Sequence, residues 1–333
     1  MTTNQLHQQA WQFRQIGLSW AEIAMRLGFR GESGARTAAN RYAESQGFAH
    51  DYVHPPQAGR RKNRTFGTEL EFIDAKRDDV AVAIEQALAS LGSAQTHVAV
   101  VEYHGKTCIR RNCNCGGIRI NGKKEWRVER DGSVSNGEHG GEIVSPILRG
   151  KEGLKVLTAV IKHAKMVDDI AVDRRCGLHV HLGTSDMTGL QRANVVRQWW
   201  KHQIETIDPM IVKRRRNREN QYCFRPSDDE FNNWIQAIER SGRGAGYQER
   251  TRSLNVTSFP KYGTLEVRQH EGSLNATKVC AWVQFLVAFF DHAKAMEHDE
   301  VPVGLAALDA LQQLGRIDVE TVTYLKQRTV ALA

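Results

Sequence analysis

The sequence predicts an α+β protein, strands backed by helices, preceded by a small three-helix unit. Three observations carry that prediction. The first 45 residues show only helical spacing of apolar side chains. From Thr65 onward strand-like and helix-like stretches alternate without the regular strand–helix–strand rhythm of a parallel sheet. Finally, Glu69-Leu70-Glu71-Phe72, His179-Val180-His181-Leu182 and Glu266-Val267-Arg268 each interleave charged or imidazole residues with apolar ones. In a strand, residues i and i+2 share a face. Leu70, Phe72, Leu178, Val180, Leu182, Leu265 and Val267 can therefore build a core, while Glu69, Glu71, His179, His181, Glu266 and Arg268 look out of it. Two carboxylates about 7 Å apart repel by about 2 kcal/mol at an effective dielectric near 20, so Glu69 and Glu71 call for a cation.

The elements follow in order. Leu6 to Ile16 has helical periodicity and stops at Gly17. Ser19 with Glu22 three residues on forms a capping box, and Ile23, Ala24 and Leu27 give the next helix its stripe up to Gly28. A third helix is expected from Ser33 to Ser45, with Ala35, Ala38, Ala39 and Tyr42 packed and Arg36, Thr37, Asn40 and Arg41 free to face out. Helix, tight turn, helix is similar to a helix-turn-helix DNA reader, and a helical docking or dimerisation module has the same shape. Residues 49–64, with Pro55-Pro56 and Arg60-Arg61-Lys62-Asn63-Arg64, read as a basic linker. Strands are expected at 65–73, 97–103, 125–130, 141–148 and 177–183, with helices at 78–91, 151–167, from 188 past Trp200, and at 228–240. A hairpin is expected from 251–259 and 263–270, and helices at 276–295, 302–313 and 318–331 close the chain. The expected units are 1–48, the linker 49–64, a catalytic domain 65–295, and C-terminal helices 296–333 packed on it.

Bulk composition narrows the function class. With 41 % hydrophobic and 25 % charged residues, the 333-residue chain reads as a soluble globular protein of about two domains. No run reaches the ~18 apolar residues of a membrane helix, and the start lacks an export signal. Six irregularly spaced cysteines imply a reducing cytoplasm rather than a disulfide framework. Of the net charge of +8, residues 1–64 carry +5, from nine Lys and Arg against four Asp and Glu. That asymmetry points to DNA as a partner of the N-terminal part.

Five motifs now stand in order: Phe66-Gly67-Thr68-Glu69-Leu70-Glu71-Phe72, Asp131-Gly132-Ser133, Gly141-Glu142-Ile143-Val144-Ser145-Pro146, Cys176-Gly177-Leu178-His179-Val180-His181 and Gly263-Thr264-Leu265-Glu266-Val267-Arg268. Over residues 64–290 their order and content resemble the amidoligases, carboxylate–amine ligases related to glutamine synthetase. The resemblance implies a glutamine-synthetase-like fold, a curved and mostly antiparallel sheet with the site on its concave face. It also implies that ATP converts a carboxylate to an acyl phosphate and that an amine then displaces phosphate. By the same resemblance, Glu69 and Glu71 serve two different Mg²⁺ or Mn²⁺ ions. His179 and Glu266 join Glu69 on its ion, Asp131 and Glu142 complete the second, and His181 lies near the phosphates. Arg268 clamps the transferring phosphoryl group.

Arg252 and Glu142 join Arg268 as catalytic candidates, Arg252 as a bidentate carboxylate ligand. Asn255, Arg216 and Arg218 are candidates for nucleotide or substrate binding, the arginines from a basic run shared with Arg214 and Arg215. Cys108, Cys113 and Cys115 form a C-x4-C-x-C cluster that would hold zinc if His104 or Cys176 supplied a fourth ligand. Cys176 as a thiol nucleophile, a phosphotransferase without amide formation, a metallohydrolase using His179 and His181, and a DNA-binding regulator with a ligase-like scaffold are the competing readings.

Overall fold

The computed structural model describes residues 2–15, 18–46, 64–111, 113–216, 222–241, 250–294 and 302–333. Helix α1 spans Thr3–Gln15, α2 Trp20–Leu27 and α3 Glu32–Ser45. The expected capping box starts α2: the Ser19 hydroxyl accepts from the Glu22 amide, and the Glu22 carboxylate accepts from the Ser19 amide at 2.8 Å. Gly28, at φ +72°, ends it in the left-handed region that glycine adopts most easily. Ala10, Trp11, Trp20, Ile23, Ala35, Ala38 and Ala39 form a small core of their own. Arg36, Thr37 and Arg41 are left exposed on α3. The linker 49–64 lies outside the described residues except for Arg64. That arginine, read as part of the basic linker, is instead buried in ion pairs with Asp186 (3.0 Å) and Asp291 (2.6 Å).

The sheet is open and mostly antiparallel. Its strands are β1 (Thr65–Lys76), β2 (Ala99–Val101), β3 (Arg127–Glu129), β4 (His139–Val144), β5 (Leu148–Arg149), β6 (Gly177–Gly183), β7 (Leu254–Asn255) and β8 (Thr264–Glu271). They are ordered β2-β3-β4-β1-β6-β8-β7, with β5 pairing the start of β1; the β2–β3 pair is parallel. The expected strand 141–148 is divided between β4 and β5, because Pro146 has no amide to give the ladder. The expected hairpin also differs. Asn255 Oδ1 accepts the Thr257 amide at 2.9 Å, turning the chain out of the strand into one helical turn, α8 (Ser258–Tyr262), ended by Gly263 at φ +72°.

Apolar residues at alternate positions face helices. Leu70, Phe72, Leu178, Val180, Leu182, Leu265 and Val267 are all buried in one core. It is shared with α4 (Arg77–Ser90), α5 (Gly150–Ala164), α6 (Gly189–His202), α7 (Asp228–Ser241) and α9 (Ala276–Ala293). Burying one such side chain contributes roughly 1.5–3 kcal/mol, so this face supplies most of the driving force. Helices α10 (Leu305–Gln313) and α11 (Val319–Leu332) join the same core through Leu308, Leu311, Val322 and Leu325. No helix among the described residues is long and apolar enough to cross a membrane.

One irregularity shapes the opposite face. Val180 pairs with Val267 but Leu178 with His270, so β8 carries one extra residue around Arg268 and Gln269. The carbonyls left over are taken up by Arg215, which donates to Arg268 O at 2.8 Å and Gln269 O at 3.1 Å.

Candidate active site

The pairing register assembles the polar face strand by strand. Glu129 on β3 lies opposite Glu142 on β4, and Glu142 opposite Glu71 on β1. Glu69 lies opposite His179 on β6, and His181 opposite Glu266 on β8, which in turn pairs with Asn255 on β7. Titratable side chains from four strands, β1, β4, β6 and β8, with Asn255 from β7, thus line a cleft of about 1290 Å³. Glycines make the close approach possible. A Cβ on Gly141 would stand 2.5 Å from Glu129 O, and one on Gly177 would stand 2.9 Å from His179 Nε2.

The distances are those of one connected cluster. His181 Nε2 is 3.2 Å from Glu69 Oε1, and its Nδ1 is 3.0 Å from the Thr264 hydroxyl. His179 Nδ1 lies 3.1 Å from Glu69 and 3.7 Å from Glu266, with Nε2 3.6 Å from Glu71. Asn255 Nδ2 donates to Glu266 at 2.7 Å, and Arg268 Nη1 donates to the other oxygen of the same carboxylate. Gly177 gives its amide to Glu71 at 2.6 Å. Ligand atoms of Glu69, His181 and Glu266 lie within 4.8 Å of one another. The resemblance implied His179 in that set and His181 beside it; both rings meet Glu69, His181 gathering with the two glutamates and His179 lying close to Glu69, Glu266 and Glu71.

Electrostatics divide the carboxylates. Burial raises Glu142 well above the ordinary carboxylate range, and Glu69, Glu129, Asp131 and Glu71 push it further. Glu71 is also raised, by burial against the pull of His179 and the Gly177 amide. Burial acts on Glu69 as well, yet hydrogen bonds with His179 and His181 hold it well below the usual value. Glu266 is lowered too: burial pushes it up, and Arg268 and His181 outweigh that. Burial works against the charge on His181, and Glu266 and Glu69 raise it nonetheless. The β1–β4 side of the floor is therefore short of positive charge. Hard oxygen donors with an imidazole, crowded until burial and neighbouring charge raise one carboxyl well above its usual range, fit a divalent Mg²⁺ or Mn²⁺.

Asp131 stands at the rim, its carboxylate accepting the Ser133 amide at 2.7 Å. Arg252 does not line the cleft. Three residues from Asn255 in an extended stretch, it points the other way and pairs with Glu230 on α7 at 2.6 Å. Arg216 likewise holds carbonyls, of Ile211 at 2.7 Å and of Leu332 at the end of α11 at 3.1 Å. Arg218 lies outside the described residues. Cys176 is fully buried with its thiol pushed up to about 12 by burial, and so is no nucleophile. Sequence reasoning missed Arg130, Arg174, Arg175, Arg250 and Lys261, a basic rim over the acidic floor. The run Arg174-Arg175 immediately before Cys176-Gly177 was the one available signal.

An open α+β sheet whose polar face carries carboxylates, imidazoles and an arginine in one cleft defines a protein built for charge-handling catalysis. A family model described as putative amidoligase enzyme matches residues 62–290. The chain belongs to that family, and so is a ligase-type enzyme. No curated protein matches it.

Proposed function

We propose that this enzyme joins a carboxylate to an amine as an amide, with ATP as the substrate that activates the carboxylate as an acyl phosphate. The observation that supports this best is the meeting of Glu69, His181 and Glu266 from three strands, with Arg268 on Glu266 at the same place. A carboxylate does not expel oxide at neutral pH, so its oxygen must leave as phosphate, and enzymes promote such transfers mainly by positioning and charge neutralisation. Mg²⁺ or Mn²⁺ held by Glu69, Glu266 and an imidazole of His179 or His181, and a second ion by Glu71, Glu142 and Asp131, would supply that neutralisation. Arg268 orients one edge on Glu266, while its buried Nε has no partner among the described residues and is free to meet a phosphoryl oxygen. Thr264 holds the His181 ring, and Asn255 holds Glu266. The basic rim suits the phosphates of a nucleotide.

The test is ADP release from ATP and Mg²⁺ over pooled carboxylates and pooled amines. Release is expected only with both pools, and not from Glu69→Ala or Glu266→Ala. Release that needs no amine indicates a phosphotransferase instead, and turnover without nucleotide a metallohydrolase.

The N-terminal helices support a further part of the reading, that the chain binds DNA through α3. Arg36, Thr37 and Arg41 are exposed there, beside the turn that follows α2. Duplex binding by the full chain is expected to weaken steeply with salt and to weaken further in Arg36→Ala/Arg41→Ala. Absent or salt-insensitive binding removes this part and leaves the ligase reading untouched.

A further inference from the structure

Away from the cleft, His97 and the segment after β2 form a second cluster that the ligase chemistry does not use. Cys108 Sγ lies 3.5 Å from His97 Nε2 and 3.9 Å from Cys113 Sγ, and Cys113 Sγ lies 2.7 Å from Cys115 Sγ. The four ligand atoms all fall within 4.8 Å of one another. Tetrahedral donors at about 2.3 Å from a zinc ion stand about 3.8 Å apart, so the Cys113–Cys115 spacing must open and any wider pair close by about 1 Å at most. Both expected candidates for the fourth ligand are elsewhere. His104 faces Glu129 at 3.3 Å and Cys176, just before β6, is buried with Ile73 and Val134, while His97 comes in from just before β2.

Three further features point to a metal. Glu85 on α4 lies 3.3 Å from His97 Nδ1. An imidazole whose Nδ1–H is held by a carboxylate presents the lone pair of Nε2, here toward sulfur, as in carboxylate–histidine–zinc arrangements. Backbone hydrogen bonds fix the loop round the cluster: Ile118 gives its amide to Cys115 O at 3.2 Å and Cys108 gives its own to Ile118 O at 3.0 Å. Gly116 and Gly117, both at positive φ, make the tight turn that brings Ile118 round. The donor chemistry separates the two clusters: thiolates select a soft, borderline ion, whereas the cleft's carboxylates select a hard one.

We propose that His97, Cys108, Cys113 and Cys115 bind one structural Zn²⁺. Each cysteine gives its proton to solvent on binding, no redox step occurs, and the coordination sphere closes without an open position. The ion ties the 105–120 segment to β2. The residues between, Glu102, Tyr103 and His104, form one wall of the cleft, so the zinc holds that wall.

The experiment is metal analysis of the full-length protein, exchanged with zinc and dialysed, beside the cobalt-substituted protein. One zinc per chain is expected, with thiolate-to-cobalt charge-transfer absorption and tetrahedral ligand-field bands. Cys113→Ser/Cys115→Ser and His97→Gln should lose the ion, and Glu69→Ala should keep it, separating this site from the cleft. Chelation should speed proteolysis within 105–120 several-fold in the wild-type protein, a readout independent of any variant's folding. No zinc in wild type, no sulfur-to-cobalt band, or two fewer titratable thiols with no metal would each overturn the proposal. The result stands or falls whatever reaction the cleft performs.

Discussion

The two faces of β1, β6 and β8 are made by the same backbone and obey opposite rules. On the covered face Leu70, Val180, Leu182 and Val267 are buried against helices and need no partner beyond close packing. On the cleft face Glu69, Glu71, His179, His181 and Glu266 are nearly as hidden, and each charge is balanced by another or partly neutralised. One residue's step along a strand separates hydrophobic burial, which stabilises, from buried like charge, which does not. The cleft face is maintained at the expense of the other, as expected where chemistry rather than stability set the residues.

Three outcomes sharpen or break this contrast. The largest concerns Glu71→Gln, which keeps an oxygen for the Gly177 amide and removes a carboxylate that burial disfavours. ADP release should fall about 10³-fold, about 4 kcal/mol of barrier, while the melting temperature holds or rises. An equal loss of stability and turnover would break the contrast. Next is Leu182→Ala on the covered face, expected to cost about 3 kcal/mol in denaturant unfolding with turnover of the folded protein little changed. If Leu182→Ala unfolds at the wild-type midpoint, the covered face is not the source of stability.

The smallest effect tests a carboxylate placed among the helices instead of in the cleft. Asp208, in the 3₁₀ turn after α6, is pushed up to about 6 by burial, against a hydrogen bond from Gln269 and the charges of Arg216 and Arg225. Folded protein keeps a proton that unfolded chain releases near pH 4, so stability should fall as pH rises from about 4 to about 6, by at most about 3 kcal/mol. Asp208→Asn should abolish that fall, raising the melting temperature at pH 8 and leaving it unchanged at pH 4. A gain that is the same at both pH values would mean Asp208 does not titrate on folding.

Much of the fold was legible because its signals are local. The Ser19–Glu22 box and Gly28 bound α2 where the pattern placed it, and β6 spans Gly177–Gly183 as expected from alternation alone. What failed also failed for local reasons read too simply. Pro146 divides an expected strand, Asn255 turns the chain early, and an odd spacing sends Arg252 to the far side from Asn255. The basic run 213–216 could not be sorted by composition: Arg215 turns inward to the bulge carbonyls while Arg216 holds the end of α11.

By itself the sequence determined which side chains alternate, and hence that acids and imidazoles share one face and aliphatics the other, because strand periodicity is a property of the chain. It also carried the family's motifs in order. Only the tertiary structure decided how closely the two histidines meet Glu69 and Glu266, that His97 completes the cysteine cluster, and that Arg215 holds the Arg268 carbonyl. Those are matters of register, bulge and loop closure between segments far apart in sequence, and no local pattern encodes a distance between strands.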